Sequence, residues 1–209
     1  VARTVDHERR RREYLDALWR VVDAHGAHAV SVRSVAEAAG RSKSNVAYYF
    51  PSRAHLLAAA VVDNLVTVEA HLAGLDLTTL TTDEAVDAIM EALPTTDEAR
   101  KRSGVWLLLA AEHTDDPELT AALAALDTTV RNYITMGFAG LVRSGVVDAS
   151  CDVTIEAERL HALIDGLTLQ AVYDPHRLSA QHLRKVIAAH LTNLARPPTS
   201  EPPPPGRSP

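Results

Sequence analysis

Cysteine, aromatic residues and long apolar runs are all scarce in this 209-residue chain, and each scarcity narrows what it can be. Cys151 is the single cysteine, so neither an intramolecular disulfide nor a cysteine-based zinc cluster is available. Phe, Trp and Tyr together make up 4% of the residues, which leaves Ala, Leu and Val to build the core. Val105 to Ala111, an apolar run as long as any in the chain, falls far short of the about 20 residues that span a bilayer. The N-terminus is rich in Arg with no apolar run behind it, so no secretory signal is predicted and a cytoplasmic, membrane-free protein is expected. There is no nucleophile elbow, phosphate-cradling glycine loop or paired-carboxylate motif. Cys151 lies in a loop-like stretch without an adjacent base, the setting of an inert thiol. No catalytic residue, and no enzyme, is therefore expected. Among the ten histidines, the tightest groupings are His113 with Asp115 and Asp116, and Asp174 with His176. Neither has the i, i+4 spacing that puts two ligands on one helical face, and both lie where helix caps need Asp. Neither a metal nor a cofactor is expected.

Charge is unevenly placed. The whole chain carries a net −6, which on its own argues against a nucleic-acid binder. Residues 1–55, however, hold ten Lys/Arg against six Asp/Glu, a net of +4, while residues 56–209 carry −10. A basic head on an acidic body suits phosphate contact at one end only.

What is present is concentrated in SVRSVAEAAGRSKSNVAYYFPSR, from Ser31 to Arg53. Ser31 can cap a helix on which Val35, Ala36 and Ala39 share a face. Gly40 suits the left-handed conformation that ends it. Ser42 can cap a second helix with Val46, Tyr49 and Phe50 inward, and Pro51 stops that helix. The pattern predicts a helix-turn-helix whose second helix turns Lys43, Ser44, Asn45 and Tyr48 outward, a shape that fits the DNA major groove. Asn45 has the amide that pairs bidentately with adenine, and Arg41 and Lys43 can read guanine or clamp phosphate. Tyr48 and Tyr49 have hydroxyls that reach phosphate, although Tyr49 beside Phe50 equally suits the core. Arg33 can touch the neighbouring backbone or simply be solvated. Arg53 opens the following helix, capped by Ser52, where a cation opposes the dipole and so is better matched by a phosphate.

The order A-x-x-A-G-x-S-x-x-x-V-x-x-Y-F-P-S-R resembles the DNA-binding segment of TetR-family transcriptional repressors, over about Arg9 to Leu57. Ala47 stands where many members carry tyrosine, and Ala54-His55 replaces the usual Glu-containing helix start, at the cost of a capping box. The resemblance implies an all-α, nine-helix protein, a backbone contact by Arg53, double-stranded operator DNA as partner, and a homodimer. VWLLLAAEHTDDPEL and LIDGLTLQAVYDP further resemble the C-terminal domain of the BetI-like branch.

The rest of the chain reads as helices separated by caps. Residues 1–8 are expected to be a disordered arm, followed by a basic run, Arg9 to Arg12, that leads into a helix bearing Leu15, Leu18, Trp19 and Val22 and ended by Gly26. Thr81 with Glu84, and Thr95 with Glu98, have capping-box spacing, and VWLLLAA, apolar all round, is expected to lie in the middle of the body. Asp116-Pro117 opens a long helix, Gly166 is expected to permit close backbone approach, and Ser179 opens the last helix. The expected domains are residues 8–54 for DNA binding, 55–196 for ligand binding and dimerisation, and 197–209 as a disordered Pro-rich tail. Leu163, Leu167, Val186, Ile187 and Leu191 are expected to form the dimer seam. Trp106, Leu109, Glu112, His113, Tyr133, Met136, Phe138, Asp165 and Gln170 are expected to converge on a cavity for a small-molecule effector. Asp165 fits equally as a pocket anion or as a polar group at the dimer interface. The expected function is a ligand-responsive repressor released from a palindromic operator. The rival is a small helical metal-binding protein or enzyme with a helix-turn-helix-like hairpin.

Overall fold

Short caps and periodic apolar faces divide the chain into helices, as a computed structural model shows for residues 2–72, 80–111 and 115–195 (backbone only at 2–5, 67–72 and 118). In order these are α1 (Ala2–His25), a 3-10 turn (Ala27–Ala29), α2 (Val32–Ala38), α3 (Lys43–Tyr49), α4 (Arg53–Leu72), α5 (Thr82–Glu91), α6 (Asp97–Ala111), α7 (Pro117–Arg143), α8 (Val153–Tyr173) and α9 (Ala180–Leu194). Among the described residues there is no strand. The expected sites Glu112 and His113, and the Pro-rich tail, lie outside the described residues.

The helix ends follow the side chains named for them. Ser31 accepts from the Ser34 amide, and the Ser34 hydroxyl accepts from the Ser31 amide, a reciprocal box made by two serines. Gly40, at φ +62°, lets the Arg41 amide return to the Ala36 carbonyl at 2.9 Å and close α2. Ser42, Thr81 and Ser179 cap α3, α5 and α9 as expected, and Asp152, which the sequence did not single out, caps α8. Thr96, and not Thr95, caps α6, accepting from the Ala99 amide at 3.1 Å. The residues expected to form an arm are helical from Ala2. Ion pairs at i, i+3 spacing, Asp6 with Arg9 and Arg10 with Glu13, support that extension. The apolar face begins only at Tyr14, so periodicity carried no sign of it.

Two apolar clusters result. The first joins Leu18 and Val22 of α1, Val35 of α2, Val46 of α3, Phe50, and Leu56, Leu57 and Ala60 of α4. It also takes in Val105 and Leu109, so the buried side chains of α6 belong to the head and not to the middle of the body. The VWLLLAA half of that helix is apolar all round, and α6 packs on α1, the 3-10 turn and α4 while also meeting α8. The second cluster joins α5, Phe138 and Leu141 of α7, and the inner faces of α8 and α9. Leu167 (6% exposed), Ile187 and Leu191 are spent inside this second core, and Leu163 and Val186 pack against it. The expected dimer seam is therefore corrected for Leu167, Ile187 and Leu191, which are buried within the protomer, where α9 packs on α5 and α8 packs on α6 and α7. A Cβ at Gly166 would meet nothing within 4 Å, so no close approach occurs there within the protomer.

Candidate nucleic-acid interface and the body beneath it

Burying Val46 and Phe50 fixes the roll of α3. With those two side chains in the core, Lys43, Ser44 and Asn45 turn outward, as do Arg41, Ser42 and Tyr48, the last 74% exposed. The Ser42 hydroxyl accepts from the Asn45 amide at 3.2 Å, which spends the cap and leaves the Asn45 side chain outside. Tyr49 is half-buried and packs with its ring 5.3 Å from Tyr14 and 4.6 Å from His7, while also lining the cleft described next.

A cleft of about 330 Å³ separates α3 from α1, lined by Arg10, Tyr14, Arg41, Asn45, Tyr48 and Tyr49. Glu13 lies 3.0 Å from Arg10 and 3.8 Å from Arg41, the two cations of this lining. Sequence reading missed Glu13 and Tyr14. The available signal was their spacing from Arg10 at i+3 and i+4, which puts all three on one helical face. Arg33 is exposed and paired with Glu37 at 2.9 Å. Arg53 donates from Nε to the Val30 carbonyl at 2.9 Å and is half-buried, so it ties the start of α4 to the approach of α2. Next to it, the Ser52 hydroxyl caps α4 at the His55 amide and lies 2.9 Å from the His55 ring. The histidine thus occupies the place left by the missing Glu.

The head is bolted to the body through α6. The Arg102 guanidinium lies 4.7 Å over the Trp19 ring, whose Nε1 donates to Asp63 at 2.9 Å. The Lys101 ammonium donates to the Asp23 carbonyl.

The side chains expected around one effector cavity are dispersed in the protomer. Leu109 is in the head core, and Phe138 is in the body core. Met136 (59% exposed) faces out, as does Gln170, which accepts from Arg177. Trp106 is half-buried outside both clusters, and Tyr133 lies at the edge of exposure. Periodicity could not assign these faces, because several of these helices meet more than one neighbour. Asp165 is 3.7 Å from His161, and burial pushes its carboxyl up, opposed by His161 and aided by Asp127. Burial also pushes the Cys151 thiol up, with Glu156 and Asp148 adding to it. His190, on α9, is held low by burial, against Glu156 and with Arg159. Among the described residues, no three His, Cys, Asp or Glu side chains are grouped to hold a metal. No helix of the described residues is long and apolar enough to cross a membrane.

The same outline exists in known proteins. Residues 15–60 match bacterial regulatory proteins of the tetR family, and residues 81–196 match the C-terminal domain of BetI-type transcriptional repressors. The HTH-type transcriptional regulator PksA of Bacillus subtilis (strain 168) is 33% identical over 195 residues, covering 91% of this chain and 92% of that protein. A transcriptional regulator from Saccharomonospora viridis, solved in complex with choline, has a TM-score of 0.70 at 26% identity, covering 87% of this chain and 95% of that one. A transcriptional regulator from Rhodococcus sp. Rha1 has a TM-score of 0.72 at 21% identity, over 88% of this chain and 94% of that one, and speaks for the fold alone.

Proposed function

The chain belongs to the TetR family of bacterial transcriptional regulators, and on that premise we propose that it binds a palindromic operator as a homodimer and leaves it when a small molecule occupies the body. The observation that carries this reading is the uncovered outer face of α3. Lys43, Ser44, Asn45 and Tyr48 stand out together above a helix locked by Val46 and Phe50. Asn45 reads a base edge, and Lys43, Arg41 and Tyr48 grip phosphate on either side. Two-fold symmetry then requires half-sites about 34–36 Å apart, or a multiple of that.

Dimerisation falls to the outer face of α8. Ile155, Ala162, Leu169 and Tyr173 are exposed on it, with half-buried Gly166 between them. Their spacing of three, four and seven residues makes one stripe, and the small residues at its centre let a second helix come close. An effector that prefers the DNA-free spacing of the two heads weakens DNA by the factor by which DNA weakens the effector. Choline is the first compound to try, because the regulator of 26% identity is solved with it.

The experiment is operator binding by fluorescence anisotropy, using DNA flanking the gene and a salt titration. Asn45→Ala is expected to cost about 1–3 kcal/mol on the operator and to relax preference at one position. Equal affinity of the wild type for operator and scrambled DNA would sink the reading.

A further inference from the structure

Where α3 ends against α4 and α7, the chain forms a second, apolar groove of about 380 Å³. That volume lies within the roughly 300–1,000 Å³ usual for small-molecule sites. One wall is Tyr49, Phe50 and Val62, and the other is Leu119, Leu123 and Leu126 of α7. Two basic side chains, Arg11 and His55, complete the lining. They are differently committed. His55 already has Ser52 at 2.9 Å and Asp116 at 3.5 Å. Arg11 stacks 4.8 Å over the Phe50 ring and has no acid partner among the described residues. Its neighbours Arg9, Arg10 and Arg12 are each paired with a carboxylate.

We propose that this groove binds a small amphipathic organic anion, a flat apolar body with one carboxylate or sulfonate. The acid group sits on Arg11, and the body lies between α4 and α7. The charge decides the class. A cation is repelled by Arg11, and a neutral ligand would cover that guanidinium without supplying a counter-charge. The aromatic side chains that line it, Tyr48, Tyr49 and Phe50, favour a flat occupant. None of the residues expected around an effector cavity lines the groove. It touches the C-terminal end of α3 and the first turns of α7 at once, so its occupant bears directly on the recognition helix. Only this last consequence, loss of DNA, rests on the reading of the head given above.

The test uses the full chain and 8-anilino-1-naphthalenesulfonate, whose fluorescence rises on entering an apolar site. Its uncharged analogue N-phenyl-1-naphthylamine serves as the control. Arg11→Gln is expected to weaken the sulfonate at least tenfold and to leave the uncharged analogue unchanged. Ala122→Trp, at an exposed position of α7 on the groove, is expected to abolish binding of both with an unaltered circular dichroism spectrum. Val62→Trp, from the α4 side, is expected to do the same. Sulfonate binding unmoved by Arg11→Gln, or as weak in the wild type as that of the neutral analogue, overturns the anion assignment. Binding unmoved by both tryptophan variants overturns the site. These readouts need no DNA, so failure of operator binding leaves them intact. On DNA, the sulfonate is expected to release wild type and not Ala122→Trp; release of both alike overturns the link to α3.

Discussion

A single carboxylate, Glu13, offsets part of the positive charge of the cleft between α1 and α3. Glu13 stands 3.0 Å from Arg10 and 3.8 Å from Arg41, both of which line the cleft between α1 and α3. In the proposed complex Glu13 offsets part of the positive charge that phosphate meets at these two guanidinium groups. Glu13→Gln is expected to tighten binding to any duplex by about threefold to tenfold and to steepen the salt slope by about one unit, since one more counterion is released. The pair is exposed, and stability should hardly change. An unchanged or weaker affinity in a salt titration would place the cleft outside the DNA contact. Asn45 was legible from sequence because a cap and two apolar neighbours fix its direction. Glu13 was not, because an acidic residue in a basic run reads as solvation until its distance to Arg41 is known.

At the scale of the helix, α8 shows how far an apolar pattern can mislead. Its leucines are plain in the sequence, but which of them face α9 and which face a partner depends on the roll of the helix. Leu167 and Ala171 are buried in the protomer, and Leu169 and Tyr173 (88% exposed) are left over. Leu169→Glu is accordingly expected to give a folded monomer by light scattering, and an intact dimer would move the seam off this face. The same helix places Glu156 and Arg159 near His190 of α9. Burial keeps His190 below its ordinary value although Glu156 pulls it upward, with Arg159 beside them. The unfolded chain then binds the proton more readily than the folded one. Stability from this group is full above the ordinary histidine value of about 6.5 and falls as pH drops from there toward the depressed value. His190→Gln is expected to flatten the loss of Tm between about pH 7.5 and about pH 5.5. Parallel Tm curves for the two proteins would show that the histidine contributes nothing.

For the molecule as a whole, α6 is the joint. Its Val105 and Leu109 complete the core of the head, and Arg102 covers Trp19. Head and body should therefore unfold together. Leu109→Ala is expected to cost about 2–5 kcal/mol, with each kcal/mol lowering Tm by about 2–4 °C in a chain of this size. In a Trp106→Phe background, Trp19 fluorescence should follow the same transition as far-UV circular dichroism. A Trp19 transition that Leu109→Ala leaves in place would show a head that folds without α6.

The sequence alone determined the helix-turn-helix, its outward residues, nearly every cap and the all-α plan. Those features depend on neighbours within one or two turns, where periodicity, Gly40, Pro51 and the capping Ser, Thr and Asp side chains act directly. Only the tertiary structure decided which apolar faces meet. It gave Val105 and Leu109 of VWLLLAA to the head core, turned Leu167 and Leu191 inward, and put Leu109 and Phe138 in different cores. The physical reason is that burial of apolar surface is non-directional. A leucine stripe gains as much against α5 as against a second copy, and the choice is made by the relative placement of helices that lie far apart in the chain.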